Sequence, residues 1–345
     1  MTSPTSAMDA DAAGLLHDLR ELTEFHRERS SGYARILEVL EYGPRAASSF
    51  DELPWLPARL FKERSLSSIP DEQVAQRIHS SGTTGAPSRI AVDRQGASDQ
   101  ARSLVEALSP VIGSKRLPML IIDSRRSAAT KGSVSARGAG ILGMMTFGRA
   151  HVFALDEHEA LERRAVEDFL RRHGGGPFLV FGFTFMVWRY LLRPAEAFGW
   201  DLSRGVLVHG GGWKRMEAEA VSPEDFRLAF ATNTGLRRSH SFYGMTEQMG
   251  TVFVEGAEAG VMHAPPFARI LVRDPDTWAA AEPGRMGLLQ VMSTRPRAYP
   301  GHVVLTEDLG EIVYGGAAGT DGGAFRVRGR LPKAEVRGCS DAVAA

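Results

Sequence analysis

Between residues 119 and 208, four short apolar runs alternate with longer amphipathic stretches, and this alternation restricts the fold more than any other feature of the chain. Met119-Leu120-Ile121-Ile122, His151-Val152-Phe153-Ala154-Leu155, Phe178-Leu179-Val180-Phe181 and Val206-Leu207-Val208 read as buried strands. Glu157 to His173 reads as a helix that Asp156 caps and that Gly174-Gly175-Gly176 ends. Strand, helix and strand at this spacing give an α/β fold, a largely parallel sheet with helices on its faces. Ligands of such sheets gather at the carboxyl ends of strands, and His209-Gly210-Gly211-Gly212 lies just past one.

The flanks differ in texture. Leu15, Leu16, Leu19, Leu22 and Phe25, then Tyr33, Ile36, Leu37 and Leu40, recur at helical spacing. Residues 1–50 are therefore expected to be a helical N-terminal region whose first ten residues fray. Pro54 and Pro57 break the regularity where the α/β core, residues 51–250, begins; within it Arg89-Ile90-Ala91-Val92 reads as a strand. Past residue 250 the strands shorten: 251–254, 269–272, 288–292, 303–305, 312–314 and 325–327. This predicts a smaller antiparallel β subdomain over 251–328, packed beside the parallel layer, with residues 329–345 as a tail.

Composition excludes several classes. Lys plus Arg equals Asp plus Glu at 41 each, so no net field draws nucleic acid or an anionic membrane. The single cysteine, Cys339, cannot close a disulfide within the chain. The N-terminus lacks the basic-then-apolar pattern of a secretion signal, and the longest apolar run, Pro177 to Trp188, falls short of the roughly 18 residues of a membrane span. A cytoplasmic protein is expected.

The stretch with the most chemistry is His79-Ser80-Ser81-Gly82-Thr83-Thr84-Gly85-Ala86-Pro87. Glycines let backbone N–H groups converge on an anion, and the hydroxyls of Ser80, Ser81, Thr83 and Thr84 add donors, which suits phosphate. No Gly-Lys-Ser/Thr follows at the spacing of a Walker A loop. Taken alone, the run also reads as an ordinary surface turn.

The order Ser-Gly-Thr-Thr-Gly-x-Pro resembles the phosphate loop of the adenylate-forming superfamily. Gly210-Gly211-Gly212-Trp213-Lys214, Tyr243-Gly244-Met245-Thr246-Glu247, Thr306-Glu307-Asp308 and Gly329-Arg330 then follow in that superfamily's order. Leu56-Pro57-Ala58-Arg59-Leu60-Phe61-Lys62, the Gly-Gly-Trp-Lys turn and the ending Arg337-Gly338-Cys339-Ser340 are more narrowly similar to the LuxE-type acyl-protein synthetases. The resemblance implies the N-terminal domain fold of an adenylate-forming enzyme and an acid–thiol ligase. Such an enzyme activates a carboxylic acid with ATP and Mg²⁺ as an acyl adenylate, releases pyrophosphate, and transfers the acyl group to a thiol.

The resemblance also assigns residues. Ser80, Ser81, Gly82, Thr83, Thr84 and Gly85 would hold the phosphates, Gly210, Gly211 and Gly212 the adenine, Tyr243 would stack on it, and Gly244 would belong to the same nucleotide site. Thr246 would contact the α-phosphate, Glu247 would bind Mg²⁺, Asp308 the ribose, and Arg330 would mark the hinge. Cys339 would accept the acyl group, because a thiolate readily attacks a mixed anhydride; as a residue alone it reads equally as a small buried hydrophobe.

Three departures stand out. The family commonly has Lys after the loop proline, where this chain has Ser88 followed by Arg89. Asp308 is preceded by Glu rather than the more frequent Gly. The chain stops fifteen residues after Arg330, so the C-terminal mobile domain and its catalytic lysine are expected to be absent. The lysine's charge would then come from one of five Lys (62, 115, 131, 214 and 333), from an Arg or from another protein, with Lys214 slightly ahead of Lys333.

The acid is open between fatty and aryl: Met144, Met145, Phe181, Phe183, Phe185, Met186 and Trp188 could line its pocket or serve as core. The final acceptor is open among Cys339, CoA, a carrier protein and an acyl-accepting partner enzyme. A truncated acyl-CoA or aryl-CoA ligase, an amide-forming adenylating enzyme and a catalytically idle nucleotide-binding subunit are the alternatives.

Overall fold

The computed structural model describes residues 4–79, 88–128, 135–313 and 323–331. The chain opens with two helices, Pro4–Arg29 and Ser31–Val39, which bury Leu19, Leu22, Tyr33 and Leu37. The first starts at Pro4, inside the ten residues expected to fray. Strand β1 (Leu56–Pro57) pairs in parallel with residues 304 and 305, which places its proline at a short, peripheral pairing. Strands β2 (Gln76–His79) and β3 (Arg89–Val92) form an antiparallel hairpin in which His79 faces Arg89. The Ser-Gly-Thr-Thr-Gly stretch connects them and lies outside the described residues.

The four apolar runs are strands, as the alternation predicts: β4 (Leu117–Ser124), β5 (Gly148–Leu155), β6 (Phe178–Phe183) and β7 (Gly205–Gly210). A fifth, β8 (Arg238–Tyr243), completes a parallel layer ordered β8-β7-β6-β4-β5. Helices cover both faces, so Met119 to Ile122, Leu179 to Phe181 and Val206 to Val208 are wholly buried. Met144, Phe181, Phe183 and Met186 belong to this core, with Phe185 and Trp188 partly buried against it.

The helix expected over 157–173 spans only Arg163–His173. Asp156 caps a turn instead: its Oδ1 accepts hydrogen bonds from the backbone N–H groups of His158 and Ala160, both at 2.8 Å. Glu159 then takes a positive φ of 60°, and Leu161 bridges back to Leu155. A short polar side chain that bonds its own backbone competes with helix formation.

Strands β9 (Phe253–Glu255), β10 (Met262–His263), β11 (Ala268–Arg273), β12 (Gly287–Ser293), β13 (Val303–Ile312) and β14 (Ala324–Arg330) are antiparallel. They are joined to the parallel layer by hydrogen bonds rather than standing as a separate sheet. Phe242 and Tyr243 pair with Val254 and Phe253, so one hydrogen-bonded sheet runs on as β8-β9-β10-β14-β13-β12-β11. The antiparallel part still has its own apolar cluster, with Phe253, Ile270, Leu289, Val291 and Phe325 at its centre. Strand β13 is continuous where two short strands were expected.

Two buried polar groupings fix the layers. At the end of β4, Asp123 holds Arg137 through two hydrogen bonds of 2.7 and 2.8 Å, both side chains being 1% exposed, and Glu159 joins at 3.2 Å. Elsewhere the long N-terminal helix meets the segment leading into β13. There His26 Nδ1 lies 2.7 Å from Ser68 Oγ, His302 Nε2 lies 3.0 Å from Thr23 Oγ1, and the two rings are 5.0 Å apart.

Burial pushes His26 down to about 3, and Arg297 and Arg29 add to this against the opposing Pro296 carbonyl. Burial likewise pushes His302 well below its usual value, with His26 adding to it. Both are neutral in the folded protein, whereas unfolded histidine protonates near pH 6.5. Stability is therefore full above about pH 6.5 and falls as pH drops towards 3, where the unfolded chain binds protons that the folded one refuses. Below pH 6 the pair removes about 3 kcal/mol per pH unit. Urea unfolding at pH 7 and pH 5 will show this loss, and His302→Gln will halve the pair's share of the slope. An unchanged slope would contradict neutral burial.

Candidate active site

Strand β7 ends in the glycine turn. A Cβ on Gly210 would lie 2.8 Å from the carbonyl oxygen and ring of Phe242 on β8, so only glycine lets the two strands approach there. Gly211 and Gly212 have φ of +84° and +68°, the left-handed region that side chains rarely enter. Thr184 fixes the turn from below: its hydroxyl donates to the Gly210 carbonyl at 3.2 Å and lies 3.0 Å from His209 Nδ1. Burial pushes His209 down to about 3, with Arg227 and His240 adding, so the ring is neutral and stacks on Phe226 with centroids 4.4 Å apart. Trp213, past the glycines, packs edge-on to Trp188 at 5.2 Å. Lys214 then opens the short segment Lys214–Glu219.

The neighbouring strand β8 delivers Tyr243. Its hydroxyl donates to Asp308 Oδ2 at 2.7 Å across 65 residues of sequence. Burial raises the phenol well above its usual value, and the Asp308 charge adds to it, so the hydroxyl stays protonated and donating. Thr306 shapes the segment that carries Asp308: its hydroxyl donates to the Leu289 carbonyl at 2.8 Å and accepts from the Asp308 N–H at 3.1 Å. Asp308 faces Arg330 across β13 and β14, just before a register slip at Leu309 and Gly310. The Arg330 guanidinium lies 3.1 Å from Glu307 and 3.6 Å from Asp308. The glutamate that replaces the more frequent glycine therefore pairs with the arginine.

Beyond β8, Gly244 packs against the Thr251 carbonyl, and the turn Thr246–Gln248 follows, all three residues buried. Gln248 Nε2 donates to the Val291 carbonyl at 2.9 Å, and the Met249 N–H donates to Tyr299 Oη at 2.9 Å. Glu247 is 2% exposed, and Oε1 accepts a 2.6 Å hydrogen bond from the hydroxyl of Ser88, which is wholly buried. Arg89, one residue on, is exposed.

The structure thus puts the Gly210 to Gly212 turn beside the end of β8, brings Tyr243, Asp308 and Arg330 together, and places Gly244, Thr246 and Glu247 in the segment that follows β8, with Glu247 against Ser88. Ser80, Ser81, Gly82, Thr83, Thr84, Gly85, Lys333 and Cys339 lie outside the described residues. Ser88, Thr184, His209, Gln248 and Tyr299 were not assigned from sequence; of these only Ser88 carried a signal, as the residue standing where lysine is usual.

The Glu247 carboxylate is a hard oxygen donor, of the kind that suits a magnesium ion, and it is buried; among the described residues no group of three or more His, Cys, Asp and Glu could hold a metal ion. Mg²⁺ is commonly bound this way, by one or two carboxylates together with substrate phosphates. Among the described residues no helix is long and apolar enough to cross a membrane.

Comparison with known proteins gives the family and the fold. The family described as acyl-protein synthetase, LuxE, matches residues 15–345. The long-chain-fatty-acid–luciferin-component ligase of Aliivibrio fischeri is 24% identical over 305 residues, 85% of this chain and 78% of that protein. Its counterpart in Vibrio harveyi is 22% identical over 329 residues, 92% and 84% of the two chains. Among solved structures, a 2-hydroxyisobutyryl-CoA ligase in the postadenylation state superposes with a TM-score of 0.68 at 14% identity, covering 93% of this chain and 68% of the other. ATP-bound MatB from Rhodopseudomonas palustris gives 0.51 at 16% identity, with 85% and 52% covered. These structures share the fold of adenylate-forming enzymes with the present α/β sheet. The match over residues 15–345 shows that the chain belongs to the LuxE family of acyl-protein synthetases.

Proposed function

We propose that this ATP-dependent ligase joins a carboxylic acid to AMP through Asp308, Tyr243, the glycine turn and Glu247, and then transfers the acyl group to Cys339 or to a partner's thiol. The observation that carries the reading is a double convergence. Ser88 meets Glu247 across 159 residues, and Tyr243 meets Asp308 across 65, at adjoining strand ends. Both curated relatives are named as ligases of a long-chain fatty acid, which supports a fatty acid over an aryl one.

In the first half-reaction a carboxylate oxygen of the acid attacks the α-phosphorus of ATP. The bond from that phosphorus to the bridging oxygen breaks, and pyrophosphate leaves. Gly210 to Gly212 give the adenine a flat backbone surface, and Tyr243 covers it. Asp308 accepts hydrogen bonds from the ribose hydroxyls while Tyr243 holds its other oxygen. Thr246 contacts the α-phosphate, and residues 80 to 85 take the outer phosphates through backbone and hydroxyl donors. Magnesium held at Glu247 would neutralise triphosphate charge. Lys214 would offset charge on the departing pyrophosphate.

In the second half-reaction a thiolate attacks the acyl carbon, and AMP leaves with the bonding electrons. Cys339 as acceptor makes the chain its own acyl carrier.

Asp308→Ala is expected to weaken ATP binding by about ten- to a hundredfold, the range of one or two hydrogen bonds to a charged group, while the acid's KM stays within twofold. Equilibrium binding of ATP and of its 2′-deoxy analogue checks this. Parental ATP affinity in the variant would remove Asp308 from the site.

Cys339→Ser is expected to keep acid-dependent pyrophosphate release but to accumulate no hydroxylamine-sensitive acyl-protein, because a neutral hydroxyl is a far weaker nucleophile than a thiolate. Intact mass after incubation with ATP and a long-chain acid reads this directly. An adduct equal to the parent's would exclude Cys339 as the acceptor.

A further inference from the structure

The hydroxyl of Ser88 occupies a particular place. The residue is the downstream foot of the 80–87 connection, one position before β3, and its Oγ donates to Glu247 Oε1 at 2.6 Å. That length is typical of a hydroxyl donating to an ionised carboxylate, a bond about twice as strong as one between neutral groups. The backbone of Glu247 is fixed from other directions. Gln248 is tied to Val291, Met249 to Tyr299, and residue 301 packs so closely that a Cβ there would lie 2.6 Å from the Glu247 carbonyl oxygen. These contacts set the turn through its backbone and the neighbouring side chains, and Ser88 supplies a contact at the carboxylate itself.

The choice of hydroxyl matters for charge. An ammonium at position 88 would neutralise the Glu247 carboxylate and compete with a cation for it. A hydroxyl orients the same oxygen and brings no charge of its own. Arg89, the next basic group, begins β3 with an exposed side chain.

We propose that Ser88 is a positioning residue for Glu247: it holds the carboxylate in its metal-binding orientation without adding a charge of its own, and so increases the factor by which magnesium tightens the nucleotide. The inference rests on the reading of Glu247 as the magnesium carboxylate.

The coupling is measurable without turnover. Titration calorimetry with α,β-methylene ATP, in EDTA and in Mg²⁺, gives the factor by which magnesium tightens the nucleotide. Ser88→Ala will lower that factor by about ten- to a hundredfold, the range of one hydrogen bond to a charged group, while affinity in EDTA stays within twofold. Ser88→Cys keeps the volume but donates weakly, and will fall in the same direction should the alanine variant fail to fold. Glu247→Gln will lose the factor almost entirely.

A Ser88→Ala protein with the parental factor, beside a Glu247→Gln protein that has lost it, overturns the proposal and leaves Glu247 as the metal ligand. Equal weakening with and without magnesium also overturns it, since Ser88 would then serve only the loop. A parental factor in Glu247→Gln removes the metal assignment itself, and the proposal with it.

Discussion

The buried turn Thr246–Gln248 is held by side chains and backbone from three separate parts of the chain. Gln248 bonds the Val291 carbonyl on β12, Met249 bonds the Tyr299 hydroxyl, and Ser88 beside β3 bonds Glu247. Buried amides and carboxylates left unpaired are costly, so these contacts favour the turn remaining inside. The turn also connects β8, the last parallel strand, to β9, the first strand that runs the other way. Its position determines where the two halves of the sheet meet.

That junction explains the location of the site. Strand β7 ends at the Gly210–Gly212 turn, and β8 ends at Tyr243 immediately before the change of direction. The returning strands then bring β13 and β14 alongside, with Asp308 and Arg330 facing each other. A parallel sheet alone would offer the glycine turn and the aromatic ring but no acidic partner for them. An antiparallel sheet alone would lack the open strand ends. Joined, they place Tyr243 within hydrogen-bonding distance of Asp308 at the carboxyl side of the parallel layer.

Much of this was legible in the chain because apolar runs buried on both faces carry a strong signal. Met119 to Ile122 and Val206 to Val208 could be read as strands, and the glycines at 210 to 212 as their terminus, without knowledge of partners. Strand β8 was not legible: Arg238-Ser239-His240-Ser241 is polar, and it is held by contacts distant in sequence, such as Ser241 N–H to Glu255 and His240 to the Glu255 carbonyl. Asp156 misled the helix boundary, since a side chain able to cap a helix is equally able to close a turn. The site motifs were legible as a series through resemblance. The Ser88–Glu247 and Tyr243–Asp308 bonds were not, because pairing between residues so far apart depends on sheet order and register. Continuity of the sheet through β9 was hidden for the same reason.

Formation of an acyl adenylate is the claim on which the assignments of Glu247, Asp308 and the glycine turn converge. Isotope exchange between pyrophosphate and ATP tests it most directly, because exchange requires the first half-reaction to run in both directions and does not depend on the identity of the final acceptor. With Mg²⁺ and a series of fatty and aryl acids, label from pyrophosphate should enter ATP only when a competent acid is present, and most rapidly with a long-chain fatty acid. Absence of exchange with every acid, from folded protein that still binds ATP, would contradict adenylation by this chain.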